Sequence, residues 1–248
     1  MPMNRVFIAA LLTISAYTSS HANPLLNGFS AHYNVDRNGM ALGVVKKELS
    51  LTPPDTLTFK STTIAEGIVA LFVSDILTEE STIQLKNNVL RPLRYEYKKT
   101  DGKKGKQIKV EFDWKNKRLN HSAIPDKVDL AANSHDLLSL QLALSQGLAQ
   151  QQKKFDFIVV NHKRVKQFVI TTAGTQNLKT SQGKLKTIRL EQERNNSRYW
   201  FSFWFAPDLN YLPVIIQKTE HDGDKVTMRL RELDGKPISI HVKGEEEF

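Results

Sequence analysis

The chain has 248 residues, no cysteine, 35 lysines and arginines against 26 aspartates and glutamates, and a formal net charge of +9. Without cysteine there is no thiol nucleophile, thiolate metal site, redox dithiol or disulfide framework, so stability must come from burial, for which a chain of this length has room. The basic surplus either favours anionic partners, such as phospholipid headgroups, lipopolysaccharide phosphates, acidic glycans or nucleic acid, or serves only solubility.

The N-terminus reads as a secretory leader. Arg5 supplies positive charge, Val6 to Tyr17 form an apolar run too short to span a bilayer comfortably, and Ser20-His21-Ala22 has the small-x-small form of a cleavage site. The expectation is a signal peptide over 1–22, cleaved near Ala22, and a single domain over 23–248. No later stretch has the length of a transmembrane segment, so the mature chain is expected to be soluble. Export removes nucleic acid from the set of expected partners.

Strand patterns follow. Phe29 to Arg37 alternates, with Phe29, Ala31, Tyr33 and Val35 on one face, and Asn38-Gly39 makes a tight turn. Ala41 to Leu51 returns, and Thr56 to Ala65 is entered through Pro53-Pro54-Asp55. Glu66 to Ser74 is apolar without period two and reads as a short helix or an inward loop. Ile76 to Leu85 and Leu90 to Lys99 pair through Lys86-Asn87-Asn88, with Leu93, Tyr95 and Tyr97 on one face. Asp101-Gly102 turns the chain into Gln107 to Trp114, whose Ile108, Val110, Phe112 and Trp114 point inward; Lys117 to Ser122 adds a short strand.

One helix stands out. Ser134 is the predicted N-cap, Asp136 sits in the first turn, and Leu137, Leu140, Leu144 and Leu148 recur at helical spacing while Leu138 and Leu142 widen the stripe. A stripe that broad should lie flat on a sheet or plug the opening of a curved one. Next come strands from Phe155 to Asn161 and Val165 to Thr172, then Gly174, Gly183, and a strand from Leu185 to Glu193.

The segment from Arg198 to Glu220 carries the most information. As a strand it places Tyr199, Phe201, Phe203 and Phe205 on one face and Trp200, Trp204 and Ala206 on the other, so both faces must be covered. Leu212 to Thr219 follows a loop pinned by Pro207 and Pro213; Val226 to Leu233 and Ile238 to Val242 complete the series. Many short strands and one strong helix predict a mainly β fold: a large curved antiparallel sheet, open or a half-barrel, with one amphipathic helix packed on it.

Phe205-Ala206-Pro207-Asp208 with Tyr211-Leu212-Pro213-Val214 resembles the signature of an uncharacterised family of exported bacterial proteins, domain-of-unknown-function family 3108. Tyr33-Asn34-Val35 with its turn and Gly43, the Asp136-Leu137-Leu138-Ser139 helix start, and the strand from Thr227 to Leu233 are similar to the same family. The resemblance implies a periplasmic protein with a largely antiparallel curved sheet. It implies no activity and transfers no catalytic residue.

The motifs of chemistry are sparse. His32, His121, His135, His162, His221 and His241 are scattered, without the spacing of a metal site, and no phosphate-binding glycine pattern occurs; no metal or cofactor is expected. Ser134-His135-Asp136 is a helix cap and not a triad, because neighbouring helical residues do not face one another. Glu79-Glu80 and Glu191 with Glu193 are the visible carboxylate pairs; Glu191 and Glu193 share a strand face and read either as a solvated face or as the start of a glycan-hydrolase site. Lys103, Lys104 and Lys106 cluster at a hairpin tip, where they either meet an anionic envelope surface or guard the sheet edge. Tyr199, Trp200, Phe203 and Trp204, with Leu137, Leu140 and Leu144, either fill a core or line a trough for a lipid or other amphiphile. The leading expectation is a non-enzymatic periplasmic protein that binds an apolar or amphipathic envelope molecule in the concave face of its sheet. The alternatives are a module that docks a protein or anionic glycan, and a cell-wall glycan hydrolase.

Overall fold

The computed structural model describes residues 24–67, 70, 76–100, 105–126, 128–195, 197–238 and 240–241. The expected leader, most of the apolar stretch over 66–74, the Asp101-Gly102 turn and Val242 lie outside them.

Seventeen strands among the described residues belong to one sheet. The N-terminal run is β1 (Phe29–Arg37), β2 (Met40–Thr52), β3 (Thr56–Ala65), β4 (Ile76–Lys86), β5 (Val89–Lys99), β6 (Lys106–Asp113), β7 (Arg118–His121) and β8 (Val128–Asp129), each pairing antiparallel with the next. After β9 (Ser134–Asp136) and α1 (Leu137–Ala149) come β10 (Lys154–Val160), β11 (Val165–Thr180), β12 (Gly183–Gln192), β13 (Tyr199–Ala206), β14 (Leu212–Glu220) and β15 (Lys225–Leu233). These also pair antiparallel in succession, and β15 pairs with the free side of β1. The first strand thus lies at the centre, with one meander on each side. β16 (Lys236–Pro237) adds to β15, β17 (Ile240–His241) adds to β11, and β9 runs parallel to β10.

Strand twist curls such a sheet. The two arms approach without closing a barrel ladder. Side chains bridge them instead: Tyr95, Tyr97, Val110 and Phe112 of one arm cluster with Val160 of the other. His162 stacks on Tyr97 with ring centroids 4.1 Å apart, and a His121 ring nitrogen lies 2.8 Å from the Asn161 carbonyl oxygen.

Three local expectations change. Ser134 is not the N-cap, because Ser134–Asp136 is extended and paired with β10. Asp136 takes that place: its carboxylate accepts from the Leu138 and Ser139 amides, and the Ser139 hydroxyl accepts from the Asp136 amide at 3.0 Å, a capping box. The strand begun at Val165 does not stop at Thr172, since a bulge between Thr172 and Gly174 absorbs one residue and the ladder continues. A second bulge, opposite Thr82 and Ile83, turns Leu93 outward, 37% exposed, while Tyr95 and Tyr97 stay inside. Of the final strand expected from Ile238 to Val242, Ile240–His241 pair with β11, and Ser239 and Val242 lie outside the described residues.

The helix stripe is wide enough to serve two cores. Leu140, Leu144 and Leu148 pack with Phe155, Phe168, Phe203, Phe205 and Ile216, while Leu138 and Leu142 join Tyr33, Leu49, Phe59 and Val214. Helix α1 therefore plugs the concave side, touching β3, β4 and β5 of one arm and β9, β10 and β14 of the other. Gly147 permits the close approach: a Cβ there would lie 2.4 Å from a Phe155 ring carbon.

Candidate functional site

A cavity of about 130 Å³ lies where α1 crosses the concave face. Its two walls are chemically different. The C-terminal arm contributes Phe168, Phe201, Phe203, Ile216 and Met228. The N-terminal arm contributes Val45, Lys47, Ser61, Thr63 and Glu79, and the helix adds Leu137, Leu138, Leu140 and Gln141. Thr63, Glu79, Leu137, Phe201 and Met228 are only half-buried, so the cavity opens toward solvent on that side.

Strand register builds the polar wall. Lys47 stands opposite Ser61, and Ser61 opposite Glu79, which makes one row across β2, β3 and β4. One level on, Phe59 faces Ser81 and Ser81 faces Tyr95. Inward residues on a strand recur every second position, so a polar residue between buried neighbours has no route to water unless the chain breaks step.

Most of these polar groups have partners. Asp136 receives Ser81 Oγ at 2.7 Å in addition to the two helix amides, and Ser139 Oγ donates to it at 2.9 Å. Burial pushes the Asp136 carboxyl up, while these hydrogen bonds pull it down. The Tyr95 hydroxyl donates a short hydrogen bond to Glu79. Burial also raises the Glu79 carboxyl, opposed by Tyr95 and by the charge of Lys47.

Lys47 has a neutral hydrogen-bond partner and no carboxylate in contact among the described residues. It is 2% exposed, and its ammonium donates to Gln141 Oε1 at 2.7 Å and lies 5.0 Å from the Tyr33 ring centre. Burial lowers its pKa to about 8, and the charge of Glu79 raises it in turn. No carboxylate oxygen stands within 4.0 Å of it among the described residues. An ammonium held in an apolar setting with no carboxylate in direct contact is costly, and ordinarily a contacting partner neutralises it.

Of the expected aromatic and leucine set, Phe203, Leu137 and Leu140 line the cavity. Leu144 lies fully buried deeper in the helix–aromatic core. Strand alternation carries Trp204 to the opposite face, where it is 9% exposed, clusters with Leu178 and Ile215, and donates its indole N–H to Gln176 at 2.9 Å. Arg189 covers that ring at 5.1 Å. Trp200 is half-buried under Arg194 at 4.3 Å, and Tyr199 sits between Lys218 at 4.4 Å and Arg164 at 5.3 Å. These three rings do not line the cavity. Lys106 is exposed at the start of β6, and Lys103 and Lys104 lie outside the described residues. Glu191 is half-buried in an ion pair with Arg189, and Glu193 is exposed.

The sequence reading missed Lys47, Ser61, Thr63 and Gln141 as lining residues. The signal for Lys47 was present: Val45 and Leu49 flank it at a spacing of two, so all three share a buried face. Ser61 stands likewise beside Phe59. Gln141 carried no such mark, because its place between the two leucine stripes depends on how the helix is rotated.

No curated protein matches the chain. Among solved structures, the fold is similar to the crystal structure of a beta-barrel-like protein of domain of unknown function DUF1849 from Brucella abortus. The TM-score is 0.54 at 11% identity, over 88% of this chain and 99% of that one, a likeness of fold alone. A family model described as "Protein of unknown function (DUF3108)" matches residues 29–231, and the chain belongs to that family.

Proposed function

We propose that this is an exported, periplasmic, non-enzymatic protein that binds an amphipathic envelope molecule in the concave face of its sheet. The observation that supports it is the pairing of an aromatic wall with a polar wall across one open cavity. The volume of about 130 Å³ is below the ~300–1,000 Å³ usual for drug-sized ligands. It suits one end of an elongated molecule, with the rest lying along the half-buried Phe201, Leu137 and Met228. Apolar contact at about 0.8 kcal/mol per buried CH₂ provides the affinity, and the polar row provides orientation. Lys103, Lys104 and Lys106 would face anionic headgroups at about 1 kcal/mol each.

Native mass spectrometry of the protein, expressed with its own N-terminal segment in a Gram-negative host, tests the reading. A co-purifying amphiphile and a mature start near Asn23 are expected. A ligand-free spectrum from envelope-derived protein would overturn the binding role. Charge reversal at the three lysines should weaken association with anionic vesicles and leave the co-purifying ligand in place. Loss of a crosslinked protein partner instead would favour a docking module.

A further inference from the structure

We infer that the bound molecule carries a single carboxylate at its polar end and that Lys47 receives this group inside the cavity. The inference rests on the amphiphile-binding role proposed above.

Lys47 offers three N–H donors. One goes to Gln141 Oε1, and Gln141 is fixed in that orientation because its own Nε2 donates to the Leu137 carbonyl at 2.8 Å. The Tyr33 ring occupies another side of the ammonium. Lys47 also lines the cavity. A buried cation that lines open volume and has no carboxylate oxygen within 4.0 Å among the described residues is a site prepared for an anion from outside.

The neighbouring groups limit that anion to one charge. Glu79 on β4 lines the same cavity, and burial raises its carboxyl against the pull of Tyr95 and Lys47. Asp136, before α1, is committed to the helix amides, Ser81 and Ser139. Tyr33 on β1 and Tyr95 on β5 are held as neutral phenols by burial. A monoanion is balanced by the single ammonium of Lys47, whereas a dianionic phosphate would bring a second negative charge beside Glu79 with no further cation to balance it. The apolar tail of the acid then runs against Phe203, Ile216 and Met228.

Titration calorimetry of the full chain with decanoate, 1-decanol and decylamine, below their aggregation concentrations at pH 7, tests the assignment. Decanoate is expected to bind at least about tenfold more tightly than 1-decanol, the order of a charge-assisted hydrogen bond. Lys47→Met should erase that difference. If the variant does not fold, a pH series on the native protein decides: the preference for decanoate should fall as pH rises well above 8, where Lys47 loses its proton. Equal binding of acid and alcohol, or a preference for decylamine, overturns the role of Lys47 and leaves amphiphile binding standing. Failure of all three probes overturns the inference, and together with a ligand-free mass spectrum it removes the binding role as well.

Discussion

The two walls of the cavity are the same kind of object, a curved antiparallel arm with every second residue turned toward α1, yet they carry opposite chemistry. On the C-terminal arm Phe168, Leu190, Phe203, Phe205 and Ile216 take inward positions and pack with the helix leucines in one apolar cluster. On the N-terminal arm Lys47, Ser61, Glu79 and Ser81 take inward positions of the same type. Pleat geometry decides which side chains point inward; it does not require them to be apolar. What allows the polar wall is a supply of partners: the N-terminus of α1 for Asp136, Tyr95 for Glu79, and Gln141 for Lys47. The aromatic wall stabilises by area removed from water, and the polar wall at best breaks even.

This contrast is sharpest where a variant breaks one wall only. Phe205→Ala, at a side chain with no exposure, should lose about 3–5 kcal/mol in urea unfolding, from lost transfer and a cavity that a close-packed helix cannot fill. Asp136→Ala should cost about 2–3 kcal/mol, because it removes the helix cap and strands buried donors on Leu138, Ser139 and Ser81. Gly147→Ala, which adds one methyl group against Phe155, should cost about 1–3 kcal/mol by overpacking; Gly147→Ala combined with Phe155→Leu should recover part of it.

The polar wall should answer differently at Lys47. Lys47→Met removes a buried ammonium that touches no carboxylate among the described residues and keeps its volume, so stability should stay the same or rise by about 1 kcal/mol, the reverse of any truncation on the aromatic side. Its pH dependence gives a second handle. The folded value near 8 lies below the ordinary 10.5, so between these limits the unfolded chain holds more protons and wild-type stability should rise with pH. The difference between wild type and Lys47→Met should narrow across that window. A constant difference from pH 7 to pH 11 would mean that the ammonium carries no burial penalty.

The sequence was a good guide wherever local rules suffice. The bounds of β1 and β3 and the turn at Asn38-Gly39 follow from period-two alternation and turn chemistry. The two-faced aromatic strand follows from the same alternation, which separates Phe203 and Phe205 from Trp204. Placing all of those rings beside the leucine helix set aside what that alternation already implied. Leu93 and Gly174 were misread for a different reason: a bulge shifts register through pairing with a neighbouring strand, and nothing in either strand alone marks it. The cap moved from Ser134 to Asp136 because a tertiary pairing with β10 kept Ser134–Asp136 extended.

By itself, then, the amino-acid order determined a mainly antiparallel β fold with one amphipathic helix packed on it, and the faces of strands such as β1, because alternation and helical spacing are properties of consecutive residues. Tertiary structure alone decided that the first strand lies between two arms, that the arms meet through side chains at Tyr97 and His162, and that Lys47 and Glu79 share a cavity with Phe203. Those facts depend on how strands distant in the chain are brought into register and on how α1 is rotated above them, and no window of neighbouring residues encodes either.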